Sequence, residues 1–146
     1  MSTDQKITDE LVETLRDGEQ GYAHAAERLR GGEDSAVADR FLNFSRQRAR
    51  YAEELRSMAA SYGDDVDDSG SVTASFHRTW ISLKDALTGN DPDAIVKAAI
   101  EGENHAIDEY EQALDADISD GLRAKVGRQL EGIRAARAEL ERSVAG

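Results

Sequence analysis

The chain has no cysteine, which excludes disulfide staples, thiolate metal sites and a cysteine nucleophile. It has a single proline, Pro92, so almost nothing in it interrupts a helix. Three histidines are too few for a hemerythrin-type or zinc-enzyme centre. No stretch approaches the roughly 18 apolar residues that mark a membrane-spanning helix. The first ten residues, MSTDQKITDE, have neither the basic region nor the apolar run of a signal peptide. A cytoplasmic location with no membrane partner is therefore expected. Basic residues are also scarce, 18 against 30 acidic, and the net charge of −12 argues against nucleic acid and anionic lipid surfaces. There is no phosphate loop, no glycine-rich dinucleotide fingerprint and no plausible Ser-His-Asp set.

What is present is helical. A length of 146 residues suffices for one domain with a core, and 39% hydrophobic against 33% charged residues indicates a folded chain with a polar surface. The pattern predicts five helical segments in a single domain spanning residues 1–146, over about 4–30, 34–62, 72–87, 92–114 and 119–144, with no strand. Gly31-Gly32, Gly63 and Gly89 close the first three, and Asp91-Pro92 opens the fourth as a cap followed by a first-turn proline. Short turns join the first segment to the second and the fourth to the fifth, so each pair forms an antiparallel hairpin. The expected fold is all-α, a ferritin-like four-helix bundle made of two hairpins with a shorter crossover helix.

The apolar stripes carry the chemistry. From Val96 to Ala113 the stripe runs Val96, Ala99, Glu103, Ala106, Tyr110, Ala113, widened by Ile100, Ile107 and Leu114. At about 100° per residue Glu103 falls near its centre. A carboxylate there must be paired, protonated or metal-bound. The second segment places Arg48 at the centre of a stripe from Val37 to Tyr62, and the fifth places Gln129 between Val126 and Ile133. Glu19 lies on the flank of the first stripe, between Val12 and Ala26. Each of the four residues stands about 13 residues from its hairpin turn, and at 1.5 Å per residue all four reach mid-bundle. The expectation is one buried polar layer of Glu19, Arg48, Glu103 and Gln129, joined by the hydroxyls of Tyr22, Tyr51 and Tyr110 about one turn away.

Mid-bundle is also where ferritin-like proteins hold a di-metal site, with one Glu from each of two helices and Glu-x-x-His from each of the others. Glu19 and Glu103 stand where the single glutamates would, and are the candidate metal ligands. Arg48 and Gln129 stand where ligands are missing, and no Glu-x-x-His occurs. Glu53 and Glu54 point off the stripe. A guanidinium bridges carboxylates well and favours a metal-free layer.

Other signals read as surface features. His105, with Glu101 and Glu109 four residues to either side, projects away from the stripe and reads as a solvated charge ladder. His24 points outward, and His77 and Lys84 edge the shorter helix around Trp80. The linker DDVDDSGS resembles the start of an EF-hand loop, but its twelfth position is Phe76 where a bidentate Glu is required.

Four segments, taken in order, resemble a known family: DGEQGYAHAAE, RQRARYAEEL, SFHRTWISLKDAL and EGENHAIDEYEQAL. The chain is similar to an uncharacterised bacterial four-helix-bundle family, a domain of unknown function in the ferritin-like superfamily. The resemblance implies the ferritin-like fold and, through the wider superfamily, iron or manganese and oxidant handling. By position Glu19 and Glu103 match that superfamily's single bundle glutamates, while Arg48 and Gln129 depart from its ligand pattern.

Three readings follow. The first is a non-catalytic bundle without a cofactor, acting by association with itself, as a dimer, or with a protein partner, in a stress response by analogy. The second is a carboxylate-bridged iron or manganese protein for metal handling or peroxide chemistry. The third is an adaptor that uses the acidic face carrying Glu101, Asp108, Glu109 and Glu111.

Overall fold

The computed structural model describes residues 3–30, 35–61, 86, 88–89 and 91–145. Four long helices make up the described fold: α1 (Thr3–Leu29), α2 (Ser35–Ser61), α3 (Pro92–Asp115) and α4 (Asp120–Ala145). There is no strand among the described residues. The shorter helix expected over 72–87, its His77 and Lys84, and the acidic linker lie outside the described residues, apart from Ala86.

The start and stop signals act as local physics dictates. The Asp91 carboxylate accepts from the Asp93 backbone N–H at 3.2 Å, and Pro92 occupies the first turn of α3, where its missing N–H costs nothing. Ser119 caps α4 through its hydroxyl, which accepts from the Leu122 N–H at 3.4 Å. The Ser119 N–H donates to Asp4 at 2.9 Å and ties the α3–α4 turn to the start of α1. Arg123 closes the same turn by donating to the carbonyls of Leu114 and Ala116.

Each hairpin packs mainly on itself, α1 with α2 and α3 with α4. Between hairpins, α1 lies beside α3 and α2 beside α4. The ring of neighbours is therefore α1, α2, α4, α3. The core divides into two clusters along the bundle axis. One joins Leu11 and Leu15 of α1 to Leu55 of α2, Ile107 of α3 and Val126 of α4. The other joins Tyr22 and Ala26 of α1 to Phe41 of α2, Val96 of α3 and Leu140 of α4. Early α1 thus meets late α2, late α3 and early α4, so every neighbouring pair is antiparallel. The diagonal pair α2 and α3 run the same way, and the connection from Ser61 to Pro92 joins opposite ends of the bundle.

Candidate functional site

Between the two apolar clusters sit the buried polar side chains of mid-bundle. Arg48 and Glu103 face each other from the diagonal helices α2 and α3, with 2% and 0% of their side chains exposed. The pairing is bidentate. One guanidinium nitrogen donates to each carboxylate oxygen, at 2.6 and 2.5 Å, and Arg48 Nε donates to Gln47 Oε1 at 3.1 Å. The fork of an arginine matches a carboxylate in this way, and such charge-assisted bonds are the strong ones. Burial alone would push the Arg48 pKa down. The Glu103 charge and hydrogen bonds outweigh it, so the guanidinium is held even more firmly protonated than usual.

Tyr22 covers this pair. Its ring centroid lies 5.6 Å from Arg48 Cζ, and Phe41 and Phe44 pack edge-on against the same ring at 5.2 and 5.4 Å. Burial and then the Glu103 charge push the Tyr22 hydroxyl pKa well above its ordinary value, partly opposed by Arg48. The hydroxyl therefore stays protonated.

Gln129 belongs to a second network. Its Oε1 accepts from the Tyr110 hydroxyl at 2.7 Å. Its Nε2 donates to the Tyr51 carbonyl at 3.2 Å and to Glu54 Oε1 at 3.0 Å. The expected single layer is thus two neighbouring systems, an ion pair across the α2–α3 diagonal and an amide relay spanning α2, α3 and α4. Tyr51 contributes its carbonyl to the relay, while its side chain is half-buried against Gly132 of α4. A Cβ at Gly132 would meet the Tyr51 hydroxyl at 1.9 Å, so the ring occupies the space a side chain there would fill.

Three expectations need correction. Glu19 does not enter the layer: its side chain is 32% exposed and accepts from Arg16 at 2.8 Å. Its backbone does reach that level, since Ser45 Oγ of α2 donates to the Glu19 carbonyl at 2.8 Å. The carboxylate turns outward because it lies on the flank, with a cation one turn away on its own helix. Glu54 does not point clear of the interior but is half-buried and accepts from Gln129. His105 keeps the expected contact with Glu109, its Nε2 3.8 Å from Glu109 Oε1, but is half-buried and not fully solvated.

Asp17 was missed altogether, and it is 6% exposed on the α3-facing flank of α1. It lines a cavity of about 10 Å³ with Thr14, Gly18, Arg48, Gly102, His105 and Ala106, room for one water molecule. The available signal was glycine at one level on both helices. Gly18 and Gly102 are both buried, and both line this cavity between α1 and α3. Outward along the same seam, Glu10, Glu13, Thr14, Glu109 and Gln112 line an open cleft of about 310 Å³.

Among the described residues, no group of three or more His, Asp or Glu side chains is placed to share a metal ion. None of the described helices is long and apolar enough to cross a membrane.

A family model described as a domain of unknown function (DUF2383) matches residues 6–116. The chain belongs to that family. The matched span takes in α1 from Lys6 onward and all of α2 and α3, with Tyr22, Arg48, Glu103 and Tyr110, and ends before α4 supplies Gln129 and Gly132. No curated protein matches the chain.

Proposed function

We propose that this DUF2383 chain is a ferritin-like bundle that performs no chemistry in its interior, its polar layer serving to fix how the helices pack. Function then resides on its surface, through association. The observation that carries this reading is the bidentate Arg48–Glu103 pair, in which both carboxylate oxygens of the most buried glutamate are occupied by a permanent cation. The ferritin-like assignment is supported by two antiparallel hairpins whose diagonal helices α2 and α3 run parallel.

The di-metal centre implied by that fold does not fit these residues. Glu103 is neutralised by Arg48, the Glu19 carboxylate is turned out to Arg16, and Tyr110 and Gln129 offer neutral oxygens already bonded to each other. A buried, hydrogen-bonded ion pair instead sets register, since sliding either helix by one turn would strand a charge in the core.

The test is elemental mass spectrometry of tag-free protein expressed with iron and manganese in the medium. The expected stoichiometry is near zero, with a melting temperature unchanged by chelator. One or two metal equivalents, lost on Glu103→Ala, would overturn the proposal and establish the iron or manganese reading.

A further inference from the structure

Charge is split unevenly across the bundle. The neighbours α1 and α3 carry fourteen acidic and four basic residues, whereas α2 and α4, side by side on the opposite flank, carry eleven basic and seven acidic. Setting aside the buried Arg48–Glu103 pair removes one charge of each kind and changes neither sign. Part of the excess is tied up between helices, as in Arg16–Glu53 and Arg134–Glu111. The rest is not. On the basic flank Arg46, Arg50 and Arg128 are exposed, and none has an ion-pair partner among the described residues. On the acidic flank the same holds for Glu10, Glu101 and Asp108.

We propose that the acidic α1/α3 flank of one copy docks on the basic α2/α4 flank of a second copy. The molecule displays the complement of each flank on its own opposite side, which singles out another copy of this chain as the partner. A polyanion would have to approach a chain of net charge −12. That same repulsion between copies is long-range and is screened beyond about 8 Å at physiological ionic strength, while opposed charges in contact are screened far less. The contact is heterologous: a docked pair leaves one flank of each sign free, so the arrangement extends into a chain or closes into a ring. The proposal rests on the reading that function lies on the surface. Metal content tests that reading, and the surface substitutions below leave mid-bundle untouched, so the two fail separately.

The test is sedimentation velocity of the full chain at about 0.15 M salt, over a range of protein concentrations. One variant combines Arg46→Gln, Arg50→Gln and Arg128→Gln; the other combines Glu10→Gln, Glu101→Gln and Asp108→Asn. Circular dichroism confirms that both fold. The native chain is expected to show a mass that grows with concentration beyond one copy. Each variant alone is expected to stay monomeric, and their equimolar mixture to form a one-to-one dimer that grows no further. A native chain that stays monomeric would overturn the proposal, as would a variant that still associates by itself or a mixture that does not. A monomeric native chain retained on heparin, with retention lost in the arginine variant, would overturn it in favour of a polyanionic partner.

Discussion

Two arginine–glutamate contacts of nearly equal length behave as different objects in this bundle. Arg48 meets Glu103 at 2.5 Å with both side chains sealed from solvent, while Arg16 meets Glu53 at 2.6 Å with more than half of the glutamate exposed. At the surface, water solvates whichever partner is left behind, so the contact is worth little. In the interior nothing replaces a lost partner, and the survivor must be buried as a bare charge. Distance does not distinguish the two pairs; surroundings do.

The comparison breaks most visibly if the buried arginine is removed. Arg48→Leu, which strands Glu103, is expected to cost about 3–5 kcal/mol of unfolding free energy. Adding Glu103→Leu should return much of that loss, because apolar side chains of similar volume fill the same site. Urea denaturation of both variants measures it, and a neutral Arg48→Leu would mean that the pair does not hold the layer.

The buried tyrosines extend the contrast to pH. Burial pushes the hydroxyl pKa of Tyr22 and of Tyr110 up, further in each case than nearby charges pull it down. Below about pH 10, where an unfolded tyrosine keeps its proton, the neutral hydroxyl is common to both states and the stability is fully present. Above it the unfolded chain releases protons that the folded chain retains, and stability falls as pH rises. The ring resonances of Tyr22 and Tyr110 should therefore titrate together with the loss of helix signal. Ionisation near pH 10 in a still-folded protein would contradict their burial.

Two glycines on α4 sharpen the point without any charge. Gly132 faces Tyr51, and Gly127 has nothing within 4 Å of where its Cβ would stand. Alanine at either site gains about 1 kcal/mol of helix propensity, but at Gly132 it must also displace an aromatic ring, at about 1–3 kcal/mol. Gly127→Ala should raise the melting temperature. Gly132→Ala should leave it unchanged or lower it, and Tyr51→Phe should recover part of the difference by removing the atom met at 1.9 Å. Equal gains at both glycines would show that the ring swings aside freely.

The smallest effect belongs to the surface pair. The hydrogen bonds from Arg16 and then Arg56 hold the Glu53 carboxyl below its usual pKa. Any stability it lends is present above the ordinary carboxylate pKa and is lost as pH falls through the lowered one. Arg16→Gln should move the Glu53 carbon resonance toward normal titration while barely shifting the melting temperature. A large thermal shift would place this pair in the same class as Arg48–Glu103.

Helical periodicity made Arg48, Glu103 and Gln129 legible because each sits at the centre of its stripe, and a stripe centre faces the interior wherever the neighbours lie. Flank positions carried no such guarantee. Glu19 and Asp17 stand on opposite flanks of α1. The first turns out to Arg16, and the second lines a cavity with Gly18 of its own helix and Gly102 and His105 of α3. Glu54 was misjudged for the same reason.

The amino-acid sequence by itself determined the four long helices, the start of α3 at Asp91-Pro92 and the apolar faces that bury Arg48, Glu103 and Gln129. These are consequences of local backbone geometry, repeated at 3.6 residues per turn. Only the tertiary structure decided that Arg48 takes Glu103 across the diagonal, that Gln129 joins Tyr110 and Glu54 instead, and that acidic and basic helices pair off on opposite flanks. Those outcomes depend on the rotation and spacing of helices distant in the chain, which side-chain volumes at every contact set together.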